Sequence, residues 1–399
     1  MDTYIFVLGR NPQLSSAEIK SVFEKKGWDL TTVLESGEVL VVSSNSADVE
    51  RLHHVLGGTV KIGKVISPIN PEDLTSVITA EFLLDHLFAK KEGKIQFGIS
   101  VYDGGNRKLT EDLGSSLSDL SAGIKALLEQ KDLSARFAFS RERYLSSVTV
   151  DKNKLIEKGG EILLVASDVL YIGKTISVQE YEAFSKRDYG RPARDMKSGV
   201  MPPKLARMMI NLAQVHEDEV LLDPFCGSGT MLQEAALLGY KNLIGRDVSG
   251  KAVADTKTNM DWLVKQSGIG SISINVAQED VKNLKLKNIS AIVTEPYLGP
   301  TLHGQIYEDK LKGVQNQLKS LYLEAFQAFK KVLKPGGVVV FILPVFVLRS
   351  SRADLDILKD IEKLGFRQKE FSDNPRKSIQ YGNKYDYVIR EIVKFNLAS

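Results

Sequence analysis

The sequence predicts an α/β protein. A parallel sheet with helices on both faces and an antiparallel C-terminal hairpin fills the second half, preceded by two smaller α+β modules. Three observations predict this. From Pro203 onward, β-like apolar runs alternate with helix-spaced runs, the pattern of a parallel sheet whose crossovers are helical. Before about residue 178, short strands and single helices mix without that alternation. Between the halves, Gly190, Pro192, Gly199, Pro202 and Pro203 interrupt any periodicity and mark a linker.

Taken in order, residues 4–8 and 38–43 are strand-like and enclose a helix from Ser15 to Lys26. That helix presents Ile19, Val22 and Phe23 on one side behind a Ser-x-x-Glu start. Residues 1–60 thus form one α+β module. Residues 61–178 form a second, with strands at 95–102, 135–140 and 161–165 and a helix near 123–129. After a linker at 179–202, the third domain (203–399) starts with a helix at 204–213 and strands at 220–223 and 243–247. A helix at 251–265 and strands at 272–277 and 291–294 follow, then a long helix at 311–333 and a strand at 338–343. Two final strands, 366–371 and 385–393, joined through Gly382-Asn383, read as a hairpin on the sheet edge.

Composition narrows the function. At 399 residues the chain exceeds a single core. No apolar run approaches the roughly 20 residues that cross a bilayer. The start, Met1 to Leu8, reads as a strand and has no basic leader, so a cytoplasmic protein is expected. One cysteine, Cys226, excludes internal disulfides, and five scattered histidines offer no metal-ligand spacing, so no metal is expected. Residues 1–60 carry a net charge of −3, residues 61–187 are neutral and residues 188–399 carry +6. A basic excess on the C-terminal half suits a phosphate-bearing substrate, although lysine-rich surfaces are commonly just solvated faces.

The most informative segment is Leu221 to Thr230, in which a strand runs through Asp223-Pro224-Phe225-Cys226-Gly227-Ser228-Gly229-Thr230 into an amphipathic helix. Such a turn lets a ligand approach bare backbone at the carboxyl end of the first strand. A pyrophosphate-binding turn calls for a third glycine and no acid; here Asp223 precedes the bend and the third glycine is missing. An acid at that place repels phosphate and suits a cationic sulfonium and ammonium, as in S-adenosylmethionine. Asp247-Val248 ends the second strand, 24 positions on, where a carboxylate can accept both ribose hydroxyls. Glu279 and Asp280 end the third, within reach of an adenine. Any one of these acids is more commonly a cap or a solvated loop residue. Three consecutive strand ends bearing acids point to a nucleoside-bearing cofactor. Cys226 is expected to pack, since no histidine neighbours it to activate a thiolate.

The fourth strand ends in Thr294-Glu295-Pro296-Tyr297. Here the chain resembles the amino-methyltransferases, which carry an Asp/Asn-Pro-Pro-Tyr loop at this point to hold an exocyclic amine. Such an amine is a weak nucleophile, so its hydrogens need acceptors and its ring an aromatic face. Tyr297 can stack, and Glu295 or the Thr294 carbonyl can accept. The chain departs from that loop, with Thr294 at the acid position and Glu295 in place of the first proline. Phe184 to Arg187 and Gly199 to Arg207 are similar to the segment preceding the donor site in archaeal and eukaryotic tRNA guanosine N2-methyltransferases with a THUMP domain. Residues 14–19 and 56–62 resemble that family's ferredoxin-like opening, and residues 97–102 with 135–144 its THUMP module. The resemblance implies a Rossmann-like, S-adenosylmethionine-dependent methyltransferase domain at 203–399, a ferredoxin-like domain at 1–60 and a THUMP RNA-binding domain at 61–178. It further implies tRNA as substrate, contacts near Arg141, Arg143, Tyr144, Lys186 and Arg187, and, for some relatives, a small activator subunit. Each of those five residues reads equally well as an ordinary surface group.

Two rivals stand beside guanosine-N2 methylation of tRNA. One keeps the donor and changes the acceptor to a ribosomal guanine or to adenine N6 of RNA or DNA. The other, favoured by the altered Thr294-Glu295 pair, is an RNA-binding or assembly protein whose catalytic fold is inactive.

Overall fold

A computed structural model describes residues 1–399 apart from 47, 89–93, 195–200, 301–307, 349–350, 372–376, 384–385 and 399, and the side chains of 308–310. The chain forms two compact units. Met1–Ser16 with Gly27–Ala183 makes the first, and Ala17–Lys26 with Phe184–Ser399 the second.

The first unit is built on one sheet of eight strands: β1 (Asp2–Leu8), β2 (Thr31–Glu35), β3 (Val39–Ser44), β4 (Thr59–Ile69), β5 (Ile95–Asp103), β6 (Ala135–Phe137), β7 (Gly159–Ala166) and β8 (Leu170–Val178). Their order is β2-β3-β1-β4-β8-β7-β5-β6. β1 is flanked by β3 and β4, both antiparallel, and β5 by β6 and β7, both parallel. Residues 1–60 and 61–178 therefore share a sheet, because the eleven-residue β4 spans the expected boundary and its partner β8 continues into β7. β4 alternates weakly and β2 is largely exposed, which hid both strands from the periodicity.

Helix Pro12–Lys26 starts three residues earlier than its Ser-x-x-Glu signature predicts. The Leu14 N–H donates to Asn11 Oδ1 at 3.2 Å, so Asn11 caps and Pro12 takes the first helical position, where its missing N–H costs nothing. Ser15 instead donates its hydroxyl to the Gly58 carbonyl at 2.9 Å. Part of the expected linker is also ordered, as helix Tyr181–Tyr189; residues 195–200 of it lie outside the described residues.

The second unit alternates as expected: β9 (Val220–Asp223), β10 (Asn242–Asp247), β11 (Ser273–Gln278), β12 (Ile289–Thr294) and β13 (Leu333–Val347) pair in parallel in the order β11-β10-β9-β12-β13. After the two-residue β14 (Arg352–Ala353) come β15 (Phe366–Lys369), β16 (Ser378–Tyr381) and β17 (Val388–Leu397). The expected edge hairpin takes a different form, because β17 lies between β13 and β15, antiparallel to both, and β16 also pairs with it. The burial of Ile392, Val393 and Phe395 explains why β17 is interior. Phe326 of helix Glu308–Val332 anchors the core beneath, with its ring centroid 5.2 Å from Phe341, 5.0 Å from Phe366 and 5.4 Å from Phe395, all edge-on. The carboxyl ends of β9, β10 and β12 are thereby fixed side by side.

Candidate active site

Asp223 closes β9 and is buried. Thr294, at the end of neighbouring β12, donates its hydroxyl to Asp223 Oδ1 at 2.6 Å, and the Phe225 N–H donates to the same oxygen at 3.2 Å. Burial pushes the Asp223 carboxyl up to about 7; those two hydrogen bonds oppose the shift, and the charges of Asp247 and Glu295 add to it. The chain then bends through Gly227 (φ 52°) and Gly229 (φ 84°), both left-handed. A side chain at Gly229 would also bring a Cβ to 2.9 Å from Thr256 Cγ2. At the end of β10, Asp247 accepts the Gly227 N–H at 3.0 Å on one oxygen and the Ser249 N–H at 2.8 Å on the other. Each oxygen retains a lone pair for a further donor. Cys226 is a packing residue: it is buried, its thiol accepts from the Thr256 hydroxyl, and burial pushes that thiol far above its ordinary range.

These groups line a cavity of about 650 Å³. Its wall holds Asp223 to Ser228 and Thr230, then Asp247, Val248 and Asp280, together with Glu295 to Gly299 and Arg390. Among the described residues the wall carries four carboxylates, Asp223, Asp247, Asp280 and Glu295, against two cations, Lys282 and Arg390. Both cations are already paired, Lys282 with Glu324 and Arg390 with Glu295. A cavity of this size and sign accommodates a positively charged nucleoside and disfavours a pyrophosphate. The residues present therefore fit S-adenosylmethionine.

Three expected site residues, Gly229, Glu279 and Thr294, are not among those that line the cavity. Glu279 is not in the wall, because Arg246 Nε donates to its carboxylate at 2.8 Å and the Lys285 N–H at 3.1 Å. Asp280 does line the cavity, and one of its oxygens accepts the Lys282 N–H at 3.0 Å. Thr294 is fully buried and spends its hydroxyl on Asp223, which makes it a positioning residue on the donor side. Glu295, by contrast, faces the cavity with Arg390 Nε 2.5 Å from its carboxylate. Tyr297 is 57% exposed, and the Tyr322 hydroxyl fixes its carbonyl at 2.7 Å. Arg390 lies 95 positions from Glu295, with no local motif to single it out.

The five candidate RNA contacts divide. In the first unit Arg141 is exposed, and Tyr144, 39% exposed, stacks on Tyr102 at 5.7 Å. Arg143 is half-buried and ion-paired with Glu38. A buried centre missed by the sequence reading fixes this loop. Lys61 pairs with Glu161, which also accepts from Ser100 and Thr175. Lys61 Nζ donates to the Leu145 carbonyl at 2.7 Å, and the Leu145 N–H donates to Ser100 Oγ at 2.8 Å. In the second unit Lys186 is exposed, beside Gln266. Arg187 is unavailable to RNA, because it is buried with its guanidinium bonded to Glu234 and set over the Phe184 ring at 4.5 Å. The fold also brings Glu180 to His53 and His54, with ligand-capable atoms within 4.8 Å of one another, a grouping that sequence spacing could not disclose. No helix among the described residues is long and apolar enough to cross a membrane.

A parallel sheet with an inserted antiparallel strand, and acids at its strand ends around a glycine bend, defines a Rossmann-like S-adenosylmethionine-dependent methyltransferase. Comparison with known proteins agrees. The UPF0020 family, described as “RMKL-like, methyltransferase domain”, matches residues 191–353. A “tRNA (guanine(10)-N2)-dimethyltransferase” of Methanothermobacter thermautotrophicus is 24% identical over 371 residues, 92% of this chain and 94% of that one. A “Probable tRNA (guanine(10)-N2)-dimethyltransferase” of Methanothermococcus thermolithotrophicus is 30% identical over 162 residues, 40% of this chain and 88% of the relative. The crystal structure of TrmN from Thermus thermophilus superposes with a TM-score of 0.55 at 16% identity, covering 99% of both chains, and so shares the fold. The chain belongs to the tRNA (guanine-N2)-methyltransferase family.

Proposed function

We propose that this protein transfers a methyl group from S-adenosylmethionine to the exocyclic N2 of a guanosine in tRNA. One observation carries the proposal: a single cavity is lined both by Asp223, Asp247 and Asp280 and by Glu295-Pro296-Tyr297. The donor supplies an electrophilic methyl on a sulfonium that departs with its bonding electron pair, so acid–base catalysis has little left to do. Asp223, Asp247 and Asp280 hold the cationic nucleoside over the glycine bend. Tyr297 offers its exposed ring for stacking the acceptor base. Glu295, oriented by Arg390, accepts hydrogens from the amine edge and takes over from the acid absent at position 294. After transfer the surplus N2 proton passes to solvent water.

The names of the relatives support guanine N2 of tRNA over the ribosomal and adenine alternatives, and the intact donor wall argues against an inactive scaffold. The eight-stranded N-terminal unit is proposed to combine the ferredoxin-like and THUMP modules and to grip tRNA through Arg141 and Tyr144; Lys186 is proposed as a tRNA contact of the second unit. A tRNA substrate makes the cytoplasm the proposed location. Incubating the purified protein with unmodified tRNA and methyl-labelled donor, digesting to nucleosides and identifying the product by mass spectrometry tests the proposal. N2-methylguanosine or its N2,N2-dimethyl form supports it, and N6-methyladenosine or no product rejects it. Repeating the assay with and without a small activator subunit tests that requirement.

A further inference from the structure

In the first unit, His53, His54 and Glu180 each offer one ligand-capable atom within 4.8 Å of the other two. The backbone beneath them is fixed from both sides. His53 and His54 end the 3-10 helix Val49–His54, which is pegged to the core by the fully buried Val49 and Leu52. Glu180 follows β8, and the residue before it, Gln179, ties that strand end to the segment after the helix. The Gln179 N–H donates to the Val60 carbonyl at 3.0 Å, and its side-chain amide donates to the Gly57 carbonyl at 2.8 Å.

An ion pair between His54 and Glu180 explains only part of this grouping. His54 Nδ1 lies 3.2 Å from Glu180 Oε1, but the His53 ring sits 3.7 Å from the His54 ring, centroid to centroid, where two imidazolium charges would repel. Neutral rings suit the arrangement, and neutral rings are metal ligands. The His53 Nδ1–H donates to the Glu50 carbonyl at 2.9 Å, which fixes the tautomer with its lone pair on Nε2. Metal-bound imidazoles are ordinarily oriented by such a bond from the other ring nitrogen. Ligand atoms about 2.0–2.1 Å from a tetrahedral zinc ion stand roughly 3.3 Å from one another, and the His54–Glu180 separation already matches that edge. The exposed side chains of His54 and Glu180 have the freedom to close the remaining distance to His53. Two imidazoles with one carboxylate suit zinc and its neighbours, whereas calcium and magnesium call for oxygen ligands. We propose that His53, His54 and Glu180 form a surface site for a zinc-type divalent cation, with water in the fourth position. The ion clasps the helix Val49–His54 to the end of β8, takes no part in methyl transfer and is independent of the function proposed above.

Zinc titration of the metal-free full chain against a chromophoric chelator tests this. The wild type should take up one equivalent with a Kd on the order of micromolar. His53→Gln, His54→Gln and Glu180→Gln should each weaken that binding about tenfold or more. Cobalt(II) in place of zinc should give the visible absorption of a four-coordinate site, lost in the same three variants. His216→Gln removes an exposed imidazole beside Glu217 and Asp218 and should leave both readouts unchanged. Saturating zinc should raise the melting temperature of the wild type and not that of Glu180→Gln. All three positions are at least partly exposed, so the metal-free variants should melt with the wild type, which tells loss of a ligand from loss of the fold. No saturable zinc binding by the wild type, an equivalent that survives all three substitutions, or one that is lost in His216→Gln overturns the proposal.

Discussion

Asp223 is held at an energetic cost to the empty protein, and removing its charge should expose that cost. Its carboxyl rises from 3.8 to about 7, a shift that corresponds to about 4 kcal/mol. The folded state therefore binds the proton more tightly than the unfolded chain between these values. Stability consequently falls as pH rises from about 4 towards 7 and stays at its reduced level above 7. Asn at this position resembles the protonated acid in shape and can still accept from Thr294 and Phe225 through its oxygen, yet it cannot ionise. In the absence of donor, Asp223→Asn should be more stable than the wild type by up to ~4 kcal/mol at pH 8, shrinking to ~1 kcal/mol at pH 4.5. Urea melts of both proteins at the two pH values measure this. The same variant should lose affinity for the cationic donor in calorimetry. A variant less stable than wild type at pH 8, or a stability difference that does not change with pH, would refute the placing of a costly carboxylate here.

Other outcomes follow from the same geometry. Because the donor needs Asp223 ionised, its affinity should weaken about tenfold between pH 8 and pH 6, read by calorimetry. Tyr297→Ala should lower turnover roughly 10- to 100-fold, the worth of one stacked base, with donor affinity unchanged, whereas Asp247→Ala should weaken donor binding first. Arg390→Met frees the Glu295 carboxylate and should reduce kcat about tenfold or more without altering the donor Kd; equal loss in both would contradict the assignment of Glu295 to the acceptor. Glu161→Ala leaves the Lys61 ammonium unpaired in a fully buried site and should destabilise the first unit by ~3–5 kcal/mol in denaturant melts.

The donor half was legible because its information is local. Asp223 and the glycine bend are adjacent in the chain, and Asp247 and Asp280 end strands whose apolar runs are plain to see. Thr294 was assigned to the acceptor because the loop motif placed it there, and only the closeness of β9 and β12 reveals that its hydroxyl belongs to Asp223. Glu279 and Arg187 were misplaced for a similar reason: each is neutralised by a residue far away in sequence, Arg246 and Glu234. Local pattern reports which side chains a segment offers. It does not report which of them the tertiary fold has already paired. The same holds for β4, whose two partners lie on either side of a boundary drawn from local strand and helix patterning.

The placement of β17 has a consequence for biosynthesis. Arg390 is the highest-numbered residue of the cavity wall, and the strand that bears it slots between β13 and β15. A ribosome that has polymerised residues up to 380 has made the whole donor pocket, yet Glu295 still waits for its counter-charge and β13 for its neighbour. The ion pair that orients Glu295 is thus completed only when β17 takes its place between β13 and β15.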